Sequence, residues 1–252
     1  MSPLMIAAIA MIIAPFIGSF LSVLVVRLPL EENVVWGRSR CRSCNKPLGP
    51  AELIPLVSWA MQGGKCSGCG ASVSALYPSM ELATTAVALW AVMTVPPELA
   101  IASVVLGWVL LTLAVMDARS YFLSDILTLP LIPTGLAMAW VIDPHSLLLH
   151  AAAAAAGFML MMAVAWVYQQ LRGREGLGMG DAKFMAGAGA WLGLSGLGPV
   201  LLIGVAVNAV MLVVARILGR QIDNSTPVPL GTGLAAGMWL TWLYGPISLG
   251  TW

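Results

Sequence analysis

Residues 101–117 read IASVVLGWVLLTLAVMD, an uncharged and largely apolar run closed by one carboxylate, Asp117. A membrane-crossing helix needs about 20 predominantly apolar residues, and this run supplies most of one. A carboxylate at the edge of such a run is costly to keep ionised and unpaired, which marks Asp117 as a functional candidate. Outward from it, comparable apolar runs lie at Met1–Val26 and at about 79–95, 122–142, 146–168, 183–197, 199–217 and 229–249. The breaks between them are short and turn-rich, among them Pro96-Pro97-Glu98, Asp143-Pro144-His145 and Ser195-Gly196-Leu197-Gly198-Pro199. The expected fold is an all-α polytopic membrane protein with about eight transmembrane helices.

Composition excludes the alternatives. Of 252 residues only 9% are charged and 60% are apolar, with a mean hydropathy of +0.92; a soluble domain carries roughly 25% charged residues. Disordered chains are poor in apolar residues, so disorder is excluded as well. A net charge of +1 offers no basic face for nucleic acid. Strand-like alternation is missing, which leaves helices rather than a barrel to satisfy the backbone in lipid.

The first run carries no charge before Arg27. A cleavable signal peptide has its positive charge ahead of the apolar run, so this segment is expected to remain as a first membrane helix with its N-terminus outside. With that orientation the inner segments are about 27–78, 117–121, 169–183 and 216–228. All 12 Lys and Arg residues fall there, from Arg27 through Arg119, Arg172, Arg174, Lys183 and Arg216 to Arg220, as the cytoplasmic bias of basic residues requires. The chain thus divides into 1–27, a first transmembrane helix; 28–78, a small cytoplasmic module between helices 1 and 2; and 79–252, a seven-helix membrane domain. Ala151–Ala156 and the glycine-rich 187–198 are read as close helix packing, and His145 and His150 as interfacial residues of the outer side.

The module holds all four cysteines as two C-x-x-C knuckles, Cys41-Arg-Ser-Cys44 and Cys66-Ser-Gly-Cys69. Four thiolates on two tight turns close a tetrahedral shell around Zn²⁺, and such a closed shell is structural rather than catalytic. Gly68 and Gly70 suit the turn, and disulfides are rare in the cytosol. The expected task of the metal is to fold a module too small for its own core.

Four acids, Glu81, Asp117, Asp125 and Asp181, sit at or just inside membrane boundaries. Asp181 closes the stretch Gly176-Leu-Gly-Met-Gly-Asp181, and both it and Asp117 are expected at the cytoplasmic edge, a placement that would let the two side chains meet. Facing carboxylates that share one proton hydrolyse amides, the ionised one activating water while the protonated one donates to the carbonyl oxygen. Gly178 and Gly180 would let a substrate backbone approach Asp181; a plain helix start capped by Asp181 is the rival reading. On a helix continuous from Asp117, Asp125 would lie about 12 Å deeper, a supporting or substrate-binding position. No G-x-S-x-G, H-E-x-x-H or phosphate loop is present.

Taken in order, these motifs resemble the prepilin leader peptidases, membrane aspartic peptidases of type IV pilus and type II secretion systems, in the long form that also N-methylates the new amino terminus. The resemblance covers nearly the whole chain: Gly18-Ser19-Phe20 with Arg27-Leu28-Pro29, the two C-x-x-C pairs, Tyr77-Pro78 with Glu81, Asp117, Gly178-Met179-Gly180-Asp181, and Thr226-Pro227-Val228-Pro229-Leu230-Gly231. Ser22 stands where the family usually has Asn, and Ser124 where it usually has Pro before Asp125. The resemblance implies Asp117 and Asp181 as the catalytic pair, with Gly178, Gly180 and Asp125 supporting them. It also implies a structural zinc on Cys41, Cys44, Cys66 and Cys69, S-adenosylmethionine as methyl donor, and methylation linked to the 28–78 module. The implied substrates are prepilins or pseudopilins, cut at the cytoplasmic face of the bacterial inner membrane. The rival expectation is a small ion- or proton-coupled transporter that uses Asp117, Asp125 and Asp181 as its path.

Overall fold

The computed structural model describes residues 3–34, 38–173, 176–219 and 227–245. Arg174, Arg220 and Thr226, used above, lie outside them. The described residues form eight α-helices: α1 (Pro3–Arg27), α2 (Val57–Met61), α3 (Leu76–Thr94), α4 (Pro97–Ser120), α5 (Asp125–Ile142), α6 (Leu147–Arg172), α7 (Met179–Ile217) and α8 (Leu230–Tyr244). The chain divides into two compact units, Met1–Thr112 and Leu113–Trp252.

In the first unit α1 and α3 pack antiparallel. Thr84 Oγ1 donates to Ala14 O at 2.9 Å, and a Cβ on Gly18 would run into Glu81 Cα at 2.7 Å. The indole of Trp108 donates to Thr84 O at 3.0 Å. The cysteine-bearing segment fills the connection from α1 to α3, with short 3₁₀ turns at Leu28–Leu30 and Pro50–Leu53.

In the second unit α7 packs against α5, α6 and α8. A methyl on Gly135 of α5 would meet Ala190 and Trp191; one on Gly157 of α6 would meet both Met185 and Leu197. Met185 and Leu197 therefore lie level with each other, although on one straight helix 12 residues would part them by about 18 Å. The partners along α8 agree: Trp191 stacks edge-on with Trp242 at 5.2 Å, Gly237 meets Val200, and Gly233 meets Gly204. The chain reverses between the halves at Gly193, whose φ of 68° and ψ of −173° interrupt the helical geometry. Sequence reading places this break at Ser195–Pro199, where glycine and proline cluster; in the structure Pro199 stays inside the helix and the single residue Gly193 turns the chain.

Among the described residues five helices are long and apolar enough to cross a membrane: α1, α4, α5, α6 and α7. α8 has only 15 residues, and α3, with 19, carries the buried Glu81. The all-helical expectation holds among the described residues, and five of the eight expected spans are seen as helices long and apolar enough to cross.

The conformation at Gly193 belongs to a region that side chains hardly enter, at a cost of about 1–3 kcal/mol. Gly193→Ala is expected to lower the thermal unfolding midpoint in detergent by that amount of stability. Gly198→Ala, where a Cβ meets nothing within 4 Å, is expected to leave it nearly unchanged.

Candidate functional site

Asp117 lies in the last turn of α4 and is 6% exposed. Its Oδ2 accepts from Thr232 N at 2.7 Å, and Gly231 also offers its backbone N–H. Both donors belong to the first turn of α8, where helical N–H groups have no partner within the helix. Pro227 and Pro229 precede that turn and direct the chain into it. The Thr232 hydroxyl lies 2.9 Å from Ala114 O and 3.2 Å from Asp117 Oδ2, so its one hydrogen serves one acceptor at a time.

Asp181 occupies the third position of α7. Gly178, in extended geometry, is the residue that caps the helix, and its N–H is donated back to the Asp181 carboxylate. Asp181 is therefore a first-turn residue and not the cap, a correction to the plain-cap reading. The first turns of α7 and α8, which carry Asp181 and hold Asp117, come to a single side chain. One residue spaces them. A methyl on Gly180 would meet Leu123 Cβ at 2.9 Å, and a methyl on Gly231 would meet the Leu123 methyls at 2.9 Å and Asp117 Cγ at 3.1 Å. Gly180 thus admits a leucine of the same chain, where sequence reading reserves the space for a substrate backbone. A methyl on Gly178 would make ordinary contact with the Asp181 carboxylate, at 3.7 Å from Oδ2.

Asp125 does not lie deeper on a helix continued from Asp117. α4 ends at Ser120, the chain turns through Tyr121 at a φ of 53°, and Asp125 begins α5. There both carboxylate oxygens accept from Lys183 Nζ, at 2.7 and 2.6 Å. Lys183 is two residues past Asp181, so the ion pair ties the start of α5 to the start of α7. His150 Nδ1 lies 2.9 Å from Ala190 O beside the Gly193 turn, a structural place. Leu123, Lys183 and Thr232 were missed in sequence as site residues. Only Thr232 had a pointer, being next to the Pro227–Gly231 motif.

In the first unit the four cysteines converge. Their sulfurs all lie within 4.8 Å of one another, with Cys41 and Cys69 at 3.9 Å and Cys44 and Cys66 at 4.0 Å. A tetrahedral shell with Zn–S bonds of about 2.3 Å sets sulfurs about 3.8 Å apart, so the four residues fit such an ion. Both knuckles are the same turn. Asn45 N donates to Cys41 O and Cys41 N to Lys46 O; Gly70 N donates to Cys66 O and Cys66 N to Ala71 O. Asn45 and Gly70 each take positive φ, at 57° and 71°, which Asn and Gly tolerate best. The Cys44 and Ser43 amides pull the Cys41 thiol down to about 6. At Cys69 the Ala71 amide's pull is outweighed by hydrogen bonding to Cys44 and by desolvation, which leaves that thiol at about 11. Four crowded sulfurs resist joint ionisation until a cation joins them.

Beside the cluster, Lys46 Nζ donates to Glu52 Oε1 at 3.0 Å and to Ser67 Oγ at 2.6 Å, and Ser67 Oγ donates to Glu52. The Ser67 hydroxyl, the Gly49 amide and Lys46 hold the Glu52 carboxyl down at about 2. The network connects the two knuckles through side chains other than cysteine.

Residues 12–95 match the family model described as Bacterial Peptidase A24 N-terminal domain, and residues 104–214 match that of the Type IV leader peptidase family. The chain is 36% identical over 254 residues to the prepilin leader peptidase/N-methyltransferase of Aeromonas hydrophila, covering 91% of this chain and 87% of that protein. It is 33% identical over 267 residues to the protein of the same name from Pseudomonas aeruginosa, covering 96% and 92%. The one from Dichelobacter nodosus is 32% identical over 257 residues, covering 91% and 88%. No solved structure matches the chain.

Cys66 is the one buried cysteine of the four. Cys66→Ser is expected to cut bound metal, with zinc the expected ion, from about one equivalent per chain to a trace in elemental analysis. Ser67→Ala, which breaks the side-chain link between the two knuckles and keeps the ligands, is expected to retain it.

Proposed function

This chain belongs to the type IV leader peptidase family, and from that premise we propose that it is an aspartic endopeptidase of the bacterial inner membrane. It removes the leader of prepilins or pseudopilins at the cytoplasmic face and N-methylates the residue so exposed. The observation that supports the peptidase reading is that Asp117, bound by the first turn of α8, and Asp181, in the first turn of α7, stand where both of those turns come to one leucine, Leu123. Two facing carboxylates share a proton readily. One then takes a proton from the attacking water while the other gives its proton to the scissile carbonyl oxygen, and the roles reverse as the amine leaves. Thr232 and Gly231 fix Asp117, Gly178 fixes Asp181, and Leu123 sets the spacing.

The chain crosses the membrane about eight times, α7 contributing two crossings through its turn at Gly193. The N-terminus is outside, and the cysteine module and both aspartates face the cytoplasm. The placement of basic residues supports this orientation. Zinc on Cys41, Cys44, Cys66 and Cys69 holds the two knuckles together, a structural task, since four protein ligands leave no open position. S-adenosylmethionine supplies the methyl group for the second reaction. That activity is inferred from the relatives' name, and no donor set among the described residues marks a site for the cofactor. The transporter alternative loses ground because Asp125, needed for its path, is bound by Lys183 at an exposed helix start.

Co-reconstitution with a prepilin tests the proposal. Asp117→Asn and Asp181→Asn are each expected to slow leader removal by at least about 10²-fold, and unimpaired cleavage by either variant would sink the assignment. Mass spectrometry of the mature product reads methylation of its N-terminus in the same sample. Thr232→Val keeps the 2.7 Å backbone donor to Asp117 and loses the hydroxyl; the expected slowing is about tenfold or less, the scale of one hydrogen bond.

A further inference from the structure

Within the cysteine module, residues 53–61 read LIPLVSWAM, a stretch with no charge. Its large apolar side chains are turned outward: Leu53 is 43% exposed, Ile54 45%, Val57 51% and Met61 83%. Trp59 faces the other way. Its ring packs on the Gly64 backbone and its indole donates to Val73 O at 3.1 Å. The result is a short element with one face on the module and one apolar face open.

The depth of this element follows from Glu81. Glu81 Oε2 accepts from Leu56 N at 2.7 Å, and Glu81 itself, 4% exposed, rests against Gly18 of α1. Gly18 lies nine residues before Arg27, where α1 ends, or about 13 Å inside that end. Leu56 is thus level with the interior of a candidate membrane span. At this level α1 and α3 show Phe16, Phe20 and Leu82 outward, each more than half exposed. The open face of 53–61 and that outward apolar surface are joined through the Leu56–Glu81 hydrogen bond.

The backbone is also suited to lipid, which satisfies no polar group. Leu56 N goes to Glu81, Val57 N to Pro55 O, Ser58 N to Ile54 O, Ala60 N to Leu56 O and Gln62 N to Ser58 O. To achieve this Leu56 takes a φ of 62° and a ψ of −51°, a γ-turn that is rare because it is strained. A solvated loop has no need of such a conformation.

We propose that residues 53–61 form an interfacial element that dips into the cytoplasmic leaflet, with Leu53, Ile54, Val57 and Met61 in contact with lipid at the headgroup–acyl boundary. Its occupant is the bilayer, and Glu81 is the anchor that holds it at depth. The inference requires that α1 lie in the membrane and is independent of the peptidase chemistry.

The full chain, reconstituted into phosphatidylcholine–phosphatidylglycerol vesicles, tests this with a genetically encoded fluorescent amino acid placed in turn at Met61, Phe16 and Arg38. The label at 61 is expected to lose fluorescence to phospholipid brominated high in its acyl chains and to resist aqueous iodide, as at 16. The label at 38 should do the reverse. A label at 61 that behaves as the one at 38 overturns the proposal. So does one shielded from both quenchers, which would mean that protein covers the face. Failure of lipid quenching at 16 would instead remove the membrane placement of α1 itself. Val57 serves as a second position if the protein labelled at 61 does not accumulate.

Discussion

The second unit is held by helices that touch backbone to backbone. In lipid, apolar side chains gain little by leaving the solvent, so helix association depends on close packing, which small residues permit. Gly157 faces the Met185 carbonyl, Gly189 that of Ala153, Gly233 that of Gly204 and Gly237 that of Val200, each too close for even a methyl group. These contacts fix the register of α6, both halves of α7, and α8. With that register set, the starts of α7 and α8 both come to Leu123, and the positions of the two aspartates follow. The carboxylate pair is therefore a product of packing along the whole length of the helices.

In the first unit a different constraint dominates. A module this small and this polar has no core, and its order comes from repeated turns. Each knuckle repeats the other at a fixed offset, with Asn45 and Gly70, Lys46 and Ala71, and Pro47 and Ser72 in equivalent places. Only one of the two carries the lysine that reaches across, and the other carries the serine that receives it.

Much of this was legible in sequence because the signals were local. Apolar runs set the helices, C-x-x-C spacing set the cluster, and a lone carboxylate after a long apolar run pointed to Asp117. The reversal at Gly193 was not legible, since Gly196, Gly198 and Pro199 advertised a break more strongly and only tertiary contacts choose among glycines. Asp125 was misplaced for a related reason: nothing in Tyr121-Phe122-Leu123-Ser124 contains glycine or proline, so the end of α4 at Ser120 left no local mark. The pairing of Asp125 with Lys183 and of Asp117 with Thr232 joins residues 58 and 115 positions apart, a distance over which single-sequence patterns are silent.

The Gly193 turn also fixes a length. The first half of α7, residues 179–192, is about 21 Å long at 1.5 Å per residue, and α8 with its 15 residues about 22 Å. Both fall short of a hydrocarbon layer about 30 Å thick. A bilayer meets such hydrophobic mismatch by thinning locally around the short helices. These are the two helices whose first turns hold Asp181 and Asp117, so on the proposed eight-span reading the thinning would lie beside the carboxylates. On the proposed reading of the two aspartates as a hydrolytic pair, such thinning would draw headgroups and their hydration water toward the reacting carboxylates.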